Sequence, residues 1–130
     1  MRSERGFTLI EMLIVMTLII TLAALATANY RTVVRRSEEA ALKTDLFHMR
    51  DAMDQYYADK NKWPSDLSEL VSAGYIRAVP VDPMTKSKDT WVTVTAESDP
   101  NNPAAAGGVA NVKSGSDRVA LDGTHYSTDW

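Results

Sequence analysis

From Phe7 to Ala28 the chain carries one charged residue, Glu11, and this apolar run constrains the molecule more than any other stretch. In a helix, about 22 residues at ~1.5 Å each cover the ~30 Å hydrocarbon core of a bilayer. The segment is therefore long enough to span a membrane. It is not an ordinary secretory signal, because the run exceeds the usual ~7–15 residues and no small-x-small cleavage site follows it. The small residue comes first: Gly6 stands between the charged leader Arg2-Ser3-Glu4-Arg5 and the run. A carboxylate at mid-bilayer costs about 2.5–3.5 kcal/mol, and ionisable groups in such segments are functional by default. Glu11 thus asks for a partner; the plainer reading is an anchor whose carboxylate reaches the headgroups or is protonated.

No Gly or Pro occurs between Phe7 and Trp63, and good helix formers dominate, which predicts one helix from Phe7 to Asp59. Leu42, Leu46, Met49, Met53 and Tyr56 recur at spacings of four and three, the stripe of a helix packed along one side. The stripe is too short for a coiled coil. Glu39 with Lys43 and Arg50 with Asp54 are four apart, pairs worth ~0.2–0.5 kcal/mol each on a helix surface. Tyr30, Val33 and Val34 lie where the helix leaves the apolar run, together with Arg31, Arg35 and Arg36. These arginines meet lipid headgroups or, in an assembled filament, acids such as Glu38 and Glu39 of another copy, and the sequence leaves both open.

Pro64 stops the helix at Trp63. Asp66-Leu67-Ser68-Glu69 reads as a capping box for a short helix that Gly74 ends, with Leu67, Leu70 and Val71 turned inward. Pro80-Val81-Asp82-Pro83 is an extended, rigid passage. Trp91–Thr95 alternates apolar and polar residues, predicting a strand with one buried face. Residues 98–108 read as a surface loop, Val109–Val112 as a second strand and Arg118–Leu121 as a third. Trp63, Trp91 and Trp130 are core anchors, the last a plug over the sheet.

Gly6-Phe7-Thr8-Leu9-Ile10-Glu11 resembles the prepilin leader of type IV pilins and type II secretion pseudopilins. The resemblance implies cleavage between Gly6 and Phe7 by a membrane prepilin peptidase, N-methylation of Phe7, and Glu11 pairing with the Phe7 amine of a neighbouring subunit. Tyr57, Trp63-Pro64, Leu67, Leu70, Gly74-Tyr75-Ile76 and Asp82-Pro83 resemble the head of the major pseudopilin of type II secretion. The implied fold is α+β and pilin-like: a long N-terminal transmembrane α-helix continuing into a small head with a short antiparallel β-sheet. Its parts would be a cleaved leader at 1–6, a transmembrane assembly helix at 7–28, the periplasmic half of the helix at 29–62 and the head at 63–130.

The implied role is structural, a homo-oligomeric helical filament in the periplasm that pushes exoproteins through an outer-membrane secretin. Its partners would be minor pseudopilins and an inner-membrane platform protein. The N-terminus would be cytoplasmic and the head periplasmic; basic residues flank the span on both sides, so the orientation follows from the resemblance. A type IV pilus pilin for adhesion, motility or DNA uptake is the alternative. The absence of cysteine and of a Gly or Pro within the helix leans against it.

The resemblance also implies a calcium ion in the segment 114–130, with Ser116, Asp117, Asp122, Thr124 and Asp129 as candidate ligands. Calcium takes six to eight oxygens, and with no cysteine the head lacks a disulfide staple. The family's doubly acidic run is shortened here and Val-Ala-Leu fills the interval from Asp117 to Asp122, so a hairpin turn at Asp122-Gly123 is the competing reading. A formal net charge of −3 gives no reason to expect nucleic-acid binding. His48 and His125 lack any nucleophile or zinc pattern, so no catalytic constellation is legible and an enzyme is not expected.

Overall fold

The computed structural model describes residues 5–130, and the leader positions Met1–Glu4 lie outside them. The elements run α1 (Leu9–Lys60), α2 (Leu67–Ser72), β1 (Val92–Thr95), a one-turn 3-10 helix (Pro103–Ala105) and β2 (Val109–Lys113). Two units divide the chain, Met1–Arg35 and Arg36–Trp130.

In the first unit the apolar helix is uncovered, with Leu9, Leu13, Leu18, Ile20 and Leu22 all exposed. Its threonines do not present unsatisfied hydroxyls. Thr17, Thr21 and Thr27 donate to the carbonyls of Leu13, Thr17 and Ala23 one turn back, at 2.8, 2.8 and 2.9 Å. Helix α1 is long and apolar enough here to cross a membrane.

In the second unit the expected stripe is the core. Leu42, Leu46, Met49, Ala52, Met53 and Tyr56 of α1 are buried against Leu67 and Leu70 of α2, Val109 and Val112 of β2, and Met84, Trp91, Ala120 and Tyr126. Each such large side chain contributes about 1.5–3 kcal/mol when fully buried. Trp63 stacks on Tyr57 at 4.5 Å, and Trp130 meets Tyr126 edge-on at 5.0 Å.

Helix α2 follows its sequence closely. The Asp66 carboxylate accepts from the Glu69 amide at 2.9 Å, the cap its position predicts. At the other end Gly74 takes φ +84°, its N–H bonding Val71 O at 3.1 Å while Tyr75 N–H bonds Leu70 O at 3.0 Å, a Schellman closure. Glu69 departs from the reciprocal box: its carboxylate accepts from the Ser65 amide and hydroxyl and from the Tyr56 phenol.

That network predicts a pH response. The Tyr56 phenol, foremost, and the Ser65 donors hold the Glu69 carboxyl down at about 2, and the hydrogen bond to Glu69 pushes Tyr56 up to about 12. A depressed carboxyl contributes stability that is present above its ordinary value near 4.5 and is lost as pH falls toward 2. The melting temperature should fall across that window, and Glu69→Gln should flatten part of the slope in circular-dichroism melts. A slope remains in the variant because Asp66 and Asp122 are also depressed, by hydrogen bonds from Ser68 and Thr124.

The sheet differs from the sequence expectation in two ways. Strands β1 and β2 pair antiparallel, Val92 opposite Lys113 and Thr93 opposite Val112, with an irregularity between Val94 and Thr95. All four residues of β1 are exposed, so the predicted buried face is absent: β2 supplies Val109 and Val112 to the core, and only Trp91, just before β1, is buried. The third strand at 118–121 is a single bridge, Val119 opposite His125, around a turn at Gly123. Four residues closed by a tight turn are too few to extend a ladder.

Candidate functional site

Helix α1 begins at Leu9 because Thr8 caps it. The Thr8 hydroxyl accepts the Glu11 amide at 3.2 Å, and the Thr8 carbonyl accepts the Met12 amide at 3.2 Å. Glu11 therefore stands at the third helical position, where a carboxylate is favoured by the exposed amides and the positive end of the helix dipole, by about 0.3–1 kcal/mol. The spacing Thr8-x-x-Glu11 is itself the sequence signal of such a cap. Side chains on a helix tilt toward its N-terminus, so the Glu11 side chain leans toward the turn carrying Phe7.

Gly6 and Phe7 precede the helix in irregular backbone, and Phe7 is 75% exposed. A Cβ on Gly6 would meet nothing within 4 Å, and its φ is not in the left-handed region. The fold gives no reason for glycine there.

The five calcium candidates do not converge. Asp122 Oδ1 accepts the amide and hydroxyl of Thr124 at 3.0 and 2.6 Å, closing the turn at Gly123. The Thr124 hydroxyl in turn accepts the Trp130 indole N–H at 2.7 Å, and Asp129 Oδ2 accepts the His125 amide at 2.8 Å. Ser116 is buried, its hydroxyl accepting the Arg118 amide at 3.3 Å. Asp122, Thr124 and Asp129 line one groove; Ser116 and Asp117 are not among its walls. Among the described residues no three His, Asp or Glu side chains stand together to hold a metal ion. Beside them Lys43 Nζ lies 4.6 Å from the Trp130 ring centroid, and the hydrogen bonds from Thr124, with a smaller contribution from the Lys43 charge, hold the Asp122 carboxyl below its ordinary range. The donor set as folded does not fit a calcium cage.

Arg50 fastens the same segment. Its guanidinium donates to Asn111 Oδ1 at 2.7 Å, Val112 O at 3.0 Å and Trp130 O at 2.9 Å. Lys113 Nζ donates to Thr128 O, and Glu39 accepts from the Leu121 amide at 2.8 Å and the Tyr126 phenol at 2.6 Å. The helix pairs expected of Glu39 with Lys43 and Arg50 with Asp54 are thus replaced by bonds to residues 111–130. Both histidines are exposed.

Residues 1–27 match the family described as the prokaryotic N-terminal methylation motif. The chain is also 31% identical to the type II secretion system core protein G of Klebsiella pneumoniae, over 64% of this chain and 71% of that protein. The chain belongs to the core protein G family of type II secretion. Fimbrial protein EcpC of Eikenella corrodens is 35% identical over 60% of this chain, which spans about half of that protein, 54%. The type IV major pilin PilA of Myxococcus xanthus is 35% identical over 52% of this chain but 30% of its own length. No solved structure matches significantly. A core protein G member is a structural, membrane-anchored subunit, and the uncovered apolar half of α1 is the anchor such a subunit needs.

Proposed function

We propose that this core protein G is the repeating subunit of a periplasmic pseudopilus that drives exoproteins through an outer-membrane secretin. The observation that carries the reading is an apolar helix with no covering surface of its own, bearing one carboxylate in its first turn. Such a surface needs lipid before assembly and other copies of itself afterwards. A prepilin peptidase cuts between Gly6 and Phe7, and glycine is there for the peptidase, since the fold does not require it. The released and methylated Phe7 amine of one subunit pairs with Glu11 of the next, and this fixes the axial register. The subunit sits in the inner membrane with its N-terminus cytoplasmic and its head periplasmic, is added to the filament by the platform protein, and is tipped by minor pseudopilins.

Deleting the gene should strand exoproteins in the periplasm and leave surface motility and DNA uptake unchanged, read by proteomics of medium against periplasm. The reverse pattern would assign the chain to a type IV pilus. That second reading is supported by the matches to fimbrial and type IV pilus proteins.

A further inference from the structure

A groove of about 610 Å³ runs along α1 beside residues 122–130, outside the N-terminal site. Its floor is apolar, Leu46, Phe47 and Trp130, and its walls carry the carboxylates of Asp51, Asp54, Asp122 and Asp129. Phe47 is 66% exposed, more than any other large apolar side chain the structure leaves uncovered beyond Arg36. Two cations also line the groove, but both are committed within the chain, Lys43 to the Trp130 ring and Arg50 to Asn111, Val112 and Trp130. What remains on offer is an apolar floor with an acidic rim. That fits a segment both basic and apolar.

The chain itself contains one. At the end of the apolar run Tyr30 is 69% exposed and Val33 is also exposed, with Arg31 and Arg36 beside them. Tyr30, Val33 and Arg36 are three apart and share one side of the helix. Nearby acids that would otherwise attract a neighbour's arginines are already engaged: Glu38 with Lys86 at 3.0 Å, and Glu39 with Leu121 and Tyr126. Asp51, by contrast, accepts only a neutral amide, from Gln55 at 2.8 Å.

We propose that the groove around Phe47 receives the Tyr30–Arg36 collar of a second copy, with Arg31 and Arg36 against its acidic rim. The proposal rests on the filament reading above and names a surface for it. Arg36 lies 15 residues before Asp51 and 18 before Asp54 on the same helix, ~22 and ~27 Å at 1.5 Å per residue. The two copies must therefore be displaced along the helix axis by that amount, as in a stacked fibre. Each copy presents both a groove and a collar, so the contact is heterologous and repeats without closing.

The test uses the full chain in secreting cells. The protein contains no cysteine, so Val33→Cys with Phe47→Cys introduces the only two thiols. A bridge within one copy would leave a monomer, so every larger species reports a contact between copies. Mild oxidation should give a ladder of dimers, trimers and longer species, and neither single variant should pass the dimer. Asp51→Lys with Asp54→Lys should reduce sheared filaments at least tenfold, and adding Arg31→Glu with Arg36→Glu should restore them. Filaments that form without the ladder, or that tolerate the Asp51 and Asp54 reversal, overturn this contact and leave the functional reading standing. A wild-type chain that loses its leader and never polymerises overturns both.

Discussion

Glu11→Ala is expected to lose its leader normally, to enter the membrane at least as well as the wild type, and to form no filament. The three outcomes separate because they depend on different properties of the same residue. On the proposed reading leader removal turns on Gly6 and Phe7, which precede the helix. Helix initiation survives, since the Thr8 hydroxyl bonds the Glu11 backbone amide and not its side chain; only the dipole contribution of about 0.3–1 kcal/mol is lost. Insertion improves, because removing a carboxylate from an apolar helix relieves up to about 2.5–3.5 kcal/mol. On the same reading, assembly alone needs a negative charge for the released amine of the neighbour. Mass spectrometry of the mature chain, carbonate extraction and shearing of filaments read the three separately. Glu11→Gln keeps a hydrogen-bonding side chain without the charge and should assemble no better than alanine. Wild-type filament yield from either variant would reduce Glu11 to a helix-capping residue.

What the sequence revealed follows the distance over which each feature is decided. The two ends of helix α2 were legible because Asp66 and Gly74 act within a few residues of the turns they close, whereas the turn of Glu69 toward Tyr56, 13 residues away, was not. The long apolar helix was legible for the same reason, being a property of one continuous stretch. The head's fastenings were not. Arg50 looked like half of a surface pair with Asp54, worth ~0.2–0.5 kcal/mol. It turns instead to three acceptors that lie 61 to 80 residues away, and hydrogen bonds to a charged group contribute about 1.5–3 kcal/mol each. Asp82 looked like part of a stiff proline passage. It is fully buried, accepting the Met84 amide at 2.8 Å and the Ser114 hydroxyl at 2.6 Å, and nothing in its own neighbourhood announces a serine 32 residues on. The loss of a buried face on β1 has the same origin, since a strand's exposure is set by which partner takes the core side.

Gly115→Ala should be among the most damaging single-methyl changes in the head, and Gly123→Ala, eight residues later, much milder. A Cβ on Gly115 would lie 2.0 Å from the Thr90 carbonyl oxygen, a backbone atom that cannot rotate away. Forcing the strands of chain apart costs about 1–3 kcal/mol for overpacking alone. The shift would not stop there. Ser114 and Ser116 flank the glycine and are both buried, with the Ser114 hydroxyl donating to Asp82 and accepting the Ser116 amide at 3.2 Å. Dragging Ser114 away leaves the buried Asp82 carboxylate short of a donor, a further ~1–3 kcal/mol. At ~4–8 °C per kcal/mol for a domain of this size, a combined cost of ~2–6 kcal/mol should lower the melting temperature by at least ~8 °C and by ~24 °C at mid-range. Gly123 has φ +88° and open space where its Cβ would go. Alanine there meets only the left-handed backbone penalty of ~1–2 kcal/mol, or ~5–15 °C. Circular-dichroism melts of both full-length variants in one detergent decide it. If Gly115→Ala melted no lower than Gly123→Ala, the approach to Thr90 would be soft and Asp82 would not depend on it.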